Sequence, residues 1–201
     1  MRQMPDRIAE HYERHAHAFD YARRKAFTER HWLDRFLIGV AKGGHILDLG
    51  CGAGEPVARY LIDHGHQITG IDVSEKMIGL SRTRFGRHVW LKADMRKAAM
   101  GRQFAGILAW DSLFHLDHDD QAAMIEKIGR WLEPRGMFLF NSGPEHSTAI
   151  GEQFGEELYH ASLDPLEYLR LLEASGMTVV AHKPEDPSAG GRTVWLARKF
   201  A

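Results

Sequence analysis

The 201-residue chain is 44% hydrophobic, with 26 Lys plus Arg against 27 Asp plus Glu. That length and apolar content suit one globular domain over residues 1–201, and the charge balance supplies no field for nucleic acid, a membrane surface or a polyanionic substrate. A single cysteine, Cys51, excludes a disulfide framework or a thiolate metal cage within the chain, and no apolar run approaches the ~18 residues of a membrane span, so the sequence reads as a cytoplasmic protein.

Residues 1–42 carry charges and aromatics at helical spacing with no strand before them, which predicts a helical cap packed over the edge of an α/β core at 43–201. "HILDL" is a short apolar run ending in a glycine turn, and "PVARYLIDHG" follows with helical spacing and an early Pro56. "QITGIDV" repeats the strand signal, and "SEKMIGLSRTRF" reads as a helix capped by Ser74. "HVWLKAD" and "FAGILAW" are two more strands, after which "DDQAAMIEKIGRWL" makes an amphipathic helix closed by "EPRG". "MFLFNSG" is a strand and "DPLEYLRLLEASG" a helix. "MTVVAHK" and "RTVWLARK" are the last strands, on either side of the turn-rich "PEDPSAGG". This alternation predicts a doubly wound α/β fold with a mostly parallel sheet, whose ligands bind outside the carboxyl ends of the strands.

The turn after the first strand holds Gly50, Gly52 and Gly54. Glycine lets a ligand approach the main chain closely, and the free N–H groups at such a strand-to-helix turn favour an anion. Asp72 ends the next strand about 20 residues later, where a carboxylate can accept from both hydroxyls of a ribose; the competing reading is a cap on the following helix. Asp48 either orients the turn or meets an ammonium group of the ligand. A nucleotide-like cofactor follows. The dinucleotide fingerprint needs G-x-G-x-x-G, and Glu55 stands where its last glycine belongs.

"LDLGCGAG" resembles the first motif of the class I S-adenosylmethionine-dependent methyltransferases, and the resemblance continues through "ITGIDVSEKMI", "LKADMR", "FAGILAWDSLFHL" and "WLEPRGMFLFNSG", from Gly43 to Ser142 with a continuation toward the end. It implies that Gly50, Cys51, Gly52 and Gly54 cradle the cofactor, that Asp72 holds its ribose, and that Val73 and Met77 lie near the adenine. It further implies that Asp94 bonds the adenine amino group, that Met95 packs on the ring, and that Trp110 and Asp111 line the transfer site. The implied fold is a seven-stranded sheet of order 3-2-1-4-5-7-6 with the last strand antiparallel. "IAEHYERHAHAFDYARR" resembles the opening helix of small-molecule members, which makes Tyr12, Phe19, Tyr21 and Arg23 candidates to cover the cofactor's methionine end. A purely structural cap is the alternative there.

The resemblance implies in-line methyl transfer from S-adenosylmethionine, leaving S-adenosylhomocysteine, a reaction in which positioning does much of the work. His115, just past the fourth strand, is then a candidate base, with activity rising through an ionisation near ~6.5; the alternative is a histidine packed in a loop. "HLDHDD" offers metal ligands, but Asp119 and Asp120 stand where a helix begins and capping explains them, so no metal is expected. Enzymes that methylate amino groups of nucleic acids and proteins often carry an Asn/Asp-Pro-Pro-aromatic motif here. This chain has Asp111-Ser112-Leu113-Phe114, and no Pro-Cys pair for cytosine chemistry. A small-molecule acceptor is expected, with Tyr159 and His160 as pocket residues and its reacting atom (oxygen, nitrogen or another nucleophile) open. The oligomeric state is open too. Two rival readings are a non-catalytic module that binds S-adenosylmethionine or S-adenosylhomocysteine, and a nicotinamide oxidoreductase, which leaves "KADMR" unexplained.

Overall fold

The computed structural model of the chain describes residues 7–201. Its strands in chain order are β1 (His45–Leu49), β2 (Gln67–Asp72), β3 (Val89–Lys92), β4 (Phe104–Ala109), β5 (Leu132–Ser142), β6 (Ser147–Gln153), β7 (Glu156–Ser162), β8 (Met177–Asp186) and β9 (Arg192–Lys199). Seven of them form one sheet in the order β3-β2-β1-β4-β5-β9-β8. The first five pair in parallel, while β9 runs antiparallel to both of its neighbours. With β8 and β9 as sixth and seventh, this is the order the sequence implied.

The sheet is covered on both faces, so its central strands read as unbroken apolar runs rather than alternating ones. All six residues of β4 are buried. Alternation along a strand then divides the core in two. Leu47, Leu49, Ile107 and Phe138 face α5 (His118–Trp131) and α6 (Pro165–Ala174). Ile46, Ile68, Leu108 and Leu139 face α2 (Arg30–Gly39), α3 (Val57–Asp63) and α4 (Glu75–Arg84). Helix starts are fixed by side-chain acceptors: Ser74 caps α4 through Met77 N–H, Asp117 caps α5 and Asp164 caps α6.

Three features differ from the sequence reading. Among the described residues of the cap, α1 (Ile8–Arg23) lies over the cleft; α2 is a core helix, because Gly106 leaves room on β4 for Phe36, whose ring would sit 2.4 Å from a Cβ there. The short turn Pro187–Ala189 follows β8, which runs on through the proline-containing stretch to Asp186. Finally, β6 and β7 form a separate antiparallel hairpin between β5 and α6. Its two-residue loop is Phe154–Gly155, with φ of +54° and +76°, the left-handed pair a tight hairpin requires. Among the described residues no helix is long and apolar enough to cross a membrane.

Candidate active site

The turn after β1 is tied to β2 by Gly50 N–H and Cys51 N–H, which both donate to Ile71 O at 2.8 and 3.0 Å. Its glycines serve different ends. A Cβ on Gly50 would lie 2.4 Å from Ser112 Cβ, and one on Gly54 would lie 2.7 Å from the Phe85 ring, so both admit neighbouring side chains. Gly52, at φ +52°, faces open space. It lines the cavity, with its N–H donating to Asp72 and its carbonyl accepting from Ser81 Oγ, whereas Gly54 packs away from the cavity, which corrects its expected place in the cofactor cradle.

A cavity of about 640 Å³ opens beside this turn at the carboxyl ends of the strands. Asp72 lines it, and the cap of the following helix is Ser74 rather than Asp72. Oδ2 accepts from Gly52 N–H and Oδ1 from Ser74 N–H, each at 2.9 Å, so the carboxylate holds the turn while its remaining lone pairs face the cavity. Burial raises its pKa, against the pull of those N–H donors. Val73, Met77 and Met95 line the adjoining wall. Asp94 also lines it, but its carboxylate is gripped by Arg96 through Nε and Nη2 at 3.0 and 2.8 Å. Arg96 is thus a wall residue that sequence reasoning passed over, although it sits inside "LKADMR". The Cys51 thiol is buried and its pKa driven up by desolvation, leaving it an inert wall.

Two groups in this cavity lack partners among the described residues. Trp110 Nε1 is buried without an acceptor. Asp48 makes no hydrogen bond with its side chain; burial and the nearby Asp72 push its carboxyl up to about 7, opposed by Arg23. A ligand bringing an acceptor and a cation would satisfy both.

A second cavity of about 630 Å³ adjoins the first and shares Tyr12, Phe19, Arg23, Asp111 and His115 with it. Tyr12 Oη lies 2.9 Å from His115 Nε2, and His115 Nδ1 lies 3.0 Å from the Tyr159 carbonyl. A carbonyl only accepts, so Nδ1 carries the proton and Nε2 accepts from the Tyr12 hydroxyl. Burial pushes the His115 pKa down to about 4, partly countered by the Tyr159 carbonyl. The free base titrating near ~6.5 is therefore corrected to a buried neutral imidazole bonded at both nitrogens. Desolvation raises the pKa of Tyr12.

The other acceptor-side candidates divide. His160 lines the second cavity, its ring 5.0 Å from that of His115. Tyr159 contributes only its backbone carbonyl, since its side chain does not line the cavity. Tyr21 is corrected outright: it is 59% exposed, with the Lys25 ammonium 3.8 Å over its ring. Asp111 sits at φ +49°, held by Asn141 on its N–H and by Arg192, whose Nε and Nη2 donate to the carboxylate at 2.6 and 2.8 Å. In "HLDHDD" the helix cap is Asp117, accepting from Asp120 N–H at 2.8 Å, and His118 Nε2 lies 3.0 Å from Ser147 O.

The family profile described as a methyltransferase domain matches residues 46–136. A putative methyltransferase, YqeM of Bacillus subtilis, is 30% identical over 144 residues, 69% of this chain and 57% of that protein. The 27-O-demethylrifamycin SV methyltransferase of Amycolatopsis mediterranei is 29% identical over 175 residues, 79% of this chain and 62% of that protein. The chain spans about half the length of the curated relatives it matches. Among solved structures, Burkholderia thailandensis 1,6-didemethyltoxoflavin-N1-methyltransferase, determined with 1,6-didemethyltoxoflavin and S-adenosylhomocysteine, superposes with a TM-score of 0.74 at 20% identity, over 96% of this chain and 88% of that one.

Proposed function

The chain belongs to the class I S-adenosylmethionine-dependent methyltransferases, and from that premise we propose that it methylates a hydroxyl of a small-molecule acceptor held in the second cavity. The observation that carries this reading is the junction of the two cavities at Tyr12, Asp111 and His115. Bound at the glycine turn, S-adenosylmethionine supplies an electrophilic methyl group on a sulfonium whose positive charge is lost on transfer. Asp72 holds the ribose and Gly52 gives the close backbone approach. Asp48 meets the ammonium group, which restores its ionised form, and Trp110 Nε1 donates to an acceptor of the same ligand.

On the acceptor side the chain handles one proton. Tyr12 Oη takes it from the attacking hydroxyl as the Tyr12 proton passes to His115 Nε2, and the Tyr159 carbonyl steadies the resulting imidazolium through Nδ1–H. The cation forms on His115 as the sulfonium charge disappears, so the site keeps its net charge. Arg192 neutralises Asp111 across the cavity wall, which suits an uncharged acceptor. The name of the relative acting on 27-O-demethylrifamycin SV, an oxygen acceptor, supports a hydroxyl.

The test is a screen for S-adenosylhomocysteine release from S-adenosylmethionine across phenols, aliphatic alcohols, amines and thiols. Turnover concentrated among hydroxyl acceptors is expected. Turnover confined to amines would contradict the proton relay, and binding without any turnover would make the chain a silent cofactor module.

A further inference from the structure

Helix α1 carries His11 and His15 one turn apart, so both point from one face. They meet Glu156, the first residue of β7, at the tip of the hairpin. His11 Nδ1 lies 3.3 Å from Glu156 Oε2 and His15 Nε2 lies 3.1 Å from Glu156 Oε1. All three ligand atoms fall within 4.8 Å of one another. We propose that His11 Nδ1, His15 Nε2 and the Glu156 carboxylate bind a divalent transition-metal ion of the zinc class, which pins the cap helix to the hairpin.

His11 Nε2 lies 3.0 Å from Gln153 Oε1, an acceptor, so its proton resides there. With that tautomer the Nδ1 lone pair faces a carboxylate oxygen, a contact relieved by a metal ion between them or by a second proton on the ring. His15 Nε2 is shielded from solvent and has no hydrogen-bond partner among the described residues, despite its 3.1 Å separation from Glu156. Tetrahedral zinc with bonds of ~2.0–2.1 Å sets its ligand atoms ~3.4 Å apart, near the 3.3 and 3.1 Å that separate the histidine nitrogens from the two oxygens of Glu156 and inside the 4.8 Å that bounds the three ligand atoms.

The surroundings have the form of an outer shell. Metal-bound histidines usually donate their other N–H to an oxygen, as His11 does to Gln153, and bound carboxylates are themselves hydrogen-bonded, as Glu156 is by Arg14 Nε and Nη2 at 3.1 and 2.7 Å. Two imidazoles and a carboxylate match zinc-class ions rather than calcium or magnesium. The ion has a structural place in the fold. Tyr12 follows His11 on α1, and β7 supplies the carbonyl on His115 Nδ1, so one cross-link braces both partners of His115. Phe154 at the hairpin loop lies over both histidine rings, at centroid separations of 6.2 and 5.2 Å, and lines the acceptor cavity.

The experiment uses the whole chain, stripped with a chelator, then titrated with zinc chloride by calorimetry and with Co²⁺ by visible spectroscopy. One zinc ion per chain is expected, with a Kd of about 1 μM or below. Co²⁺ should give the strong visible bands of a four-coordinate site, and zinc should raise the Tm. His15→Ala, at a partly exposed position, and the near-isosteric Glu156→Gln should each keep the fold by circular dichroism and weaken zinc binding about tenfold or more. Wild-type protein that takes up no zinc below about 100 μM would overturn the proposal and leave a proton-held clasp. So would folded variants that bind zinc as tightly as the wild type, because the ion would then sit on other histidines.

Discussion

Acidifying the protein from about pH 8 to about pH 5 should leave His115 neutral. Burial holds its pKa at about 4, against ~6.5 for an ordinary histidine, a gap of ~2.5 units or ~3.4 kcal/mol at ~1.36 kcal/mol per unit. Because the folded value lies below the unfolded one, the unfolded chain binds the extra proton first as pH falls. This group's contribution to stability is therefore fully present above ~6.5, declines between there and about 4, and is gone below. At pH 5 only ~10% of folded His115 is charged, against ~97% of an unperturbed imidazole. Methyl transfer should thus keep its plateau down to about pH 5 instead of falling near ~6.5. The assay is NMR of the histidine Cε1–H groups, with His115 assigned by its absence in His115→Asn. Paired urea unfolding at neutral and acid pH should show the wild type losing up to ~3 kcal/mol more than that variant. A His115 resonance titrating near ~6.5, or equal acid losses in the two proteins, would refute the buried neutral imidazole.

Tyr12→Phe leaves His115 Nε2 buried without its donor, so stability should fall by ~1–3 kcal/mol and turnover by ~10²-fold or more, with cofactor affinity nearly unchanged; wild-type turnover in steady-state kinetics would remove Tyr12 from the proton path. Asp72→Ala strips the acceptor from Gly52 and Ser74 N–H as well as the proposed ribose ligand, and calorimetry should show S-adenosylmethionine binding weakened by ~2–4 kcal/mol. A loss below about threefold would confine Asp72 to holding the turn. Gly52→Ala places a methyl group in open space at φ +52°, at a strain of ~1–2 kcal/mol. The variant should fold yet bind the cofactor about tenfold more weakly or worse, and unchanged affinity would mean that no ligand approaches that backbone.

The sheet was legible because parallel strands buried on both faces are unbroken apolar runs closed by turn residues, and the spacing of the glycine turn from Asp72 anticipated that both line one cavity. The hairpin was not, since its loop is Phe154–Gly155 and lacks the Asn-Gly or Asp-Gly signal that usually marks such a turn. The transfer end was hidden for a different reason. Tyr12 reaches His115 across 103 positions and Arg192 reaches Asp111 across 81, pairings that only the closed sheet and the cap create. One miss was avoidable: at ~100° per residue Tyr12, Phe19 and Arg23 share a helix face, while Tyr21 points directly opposite Tyr12. The charge states were also out of reach, because desolvation of Asp48 and His115 depends on what the fold packs around them.

The measurement that bears most directly on the central claim is calorimetric titration of the whole chain with S-adenosylhomocysteine and, separately, with NAD. One S-adenosylhomocysteine site with an affinity of about micromolar order and no saturable heat from NAD is the predicted result. Saturable NAD binding with none for S-adenosylhomocysteine would contradict the assignment of the glycine-turn cavity and the methyl transfer built upon it.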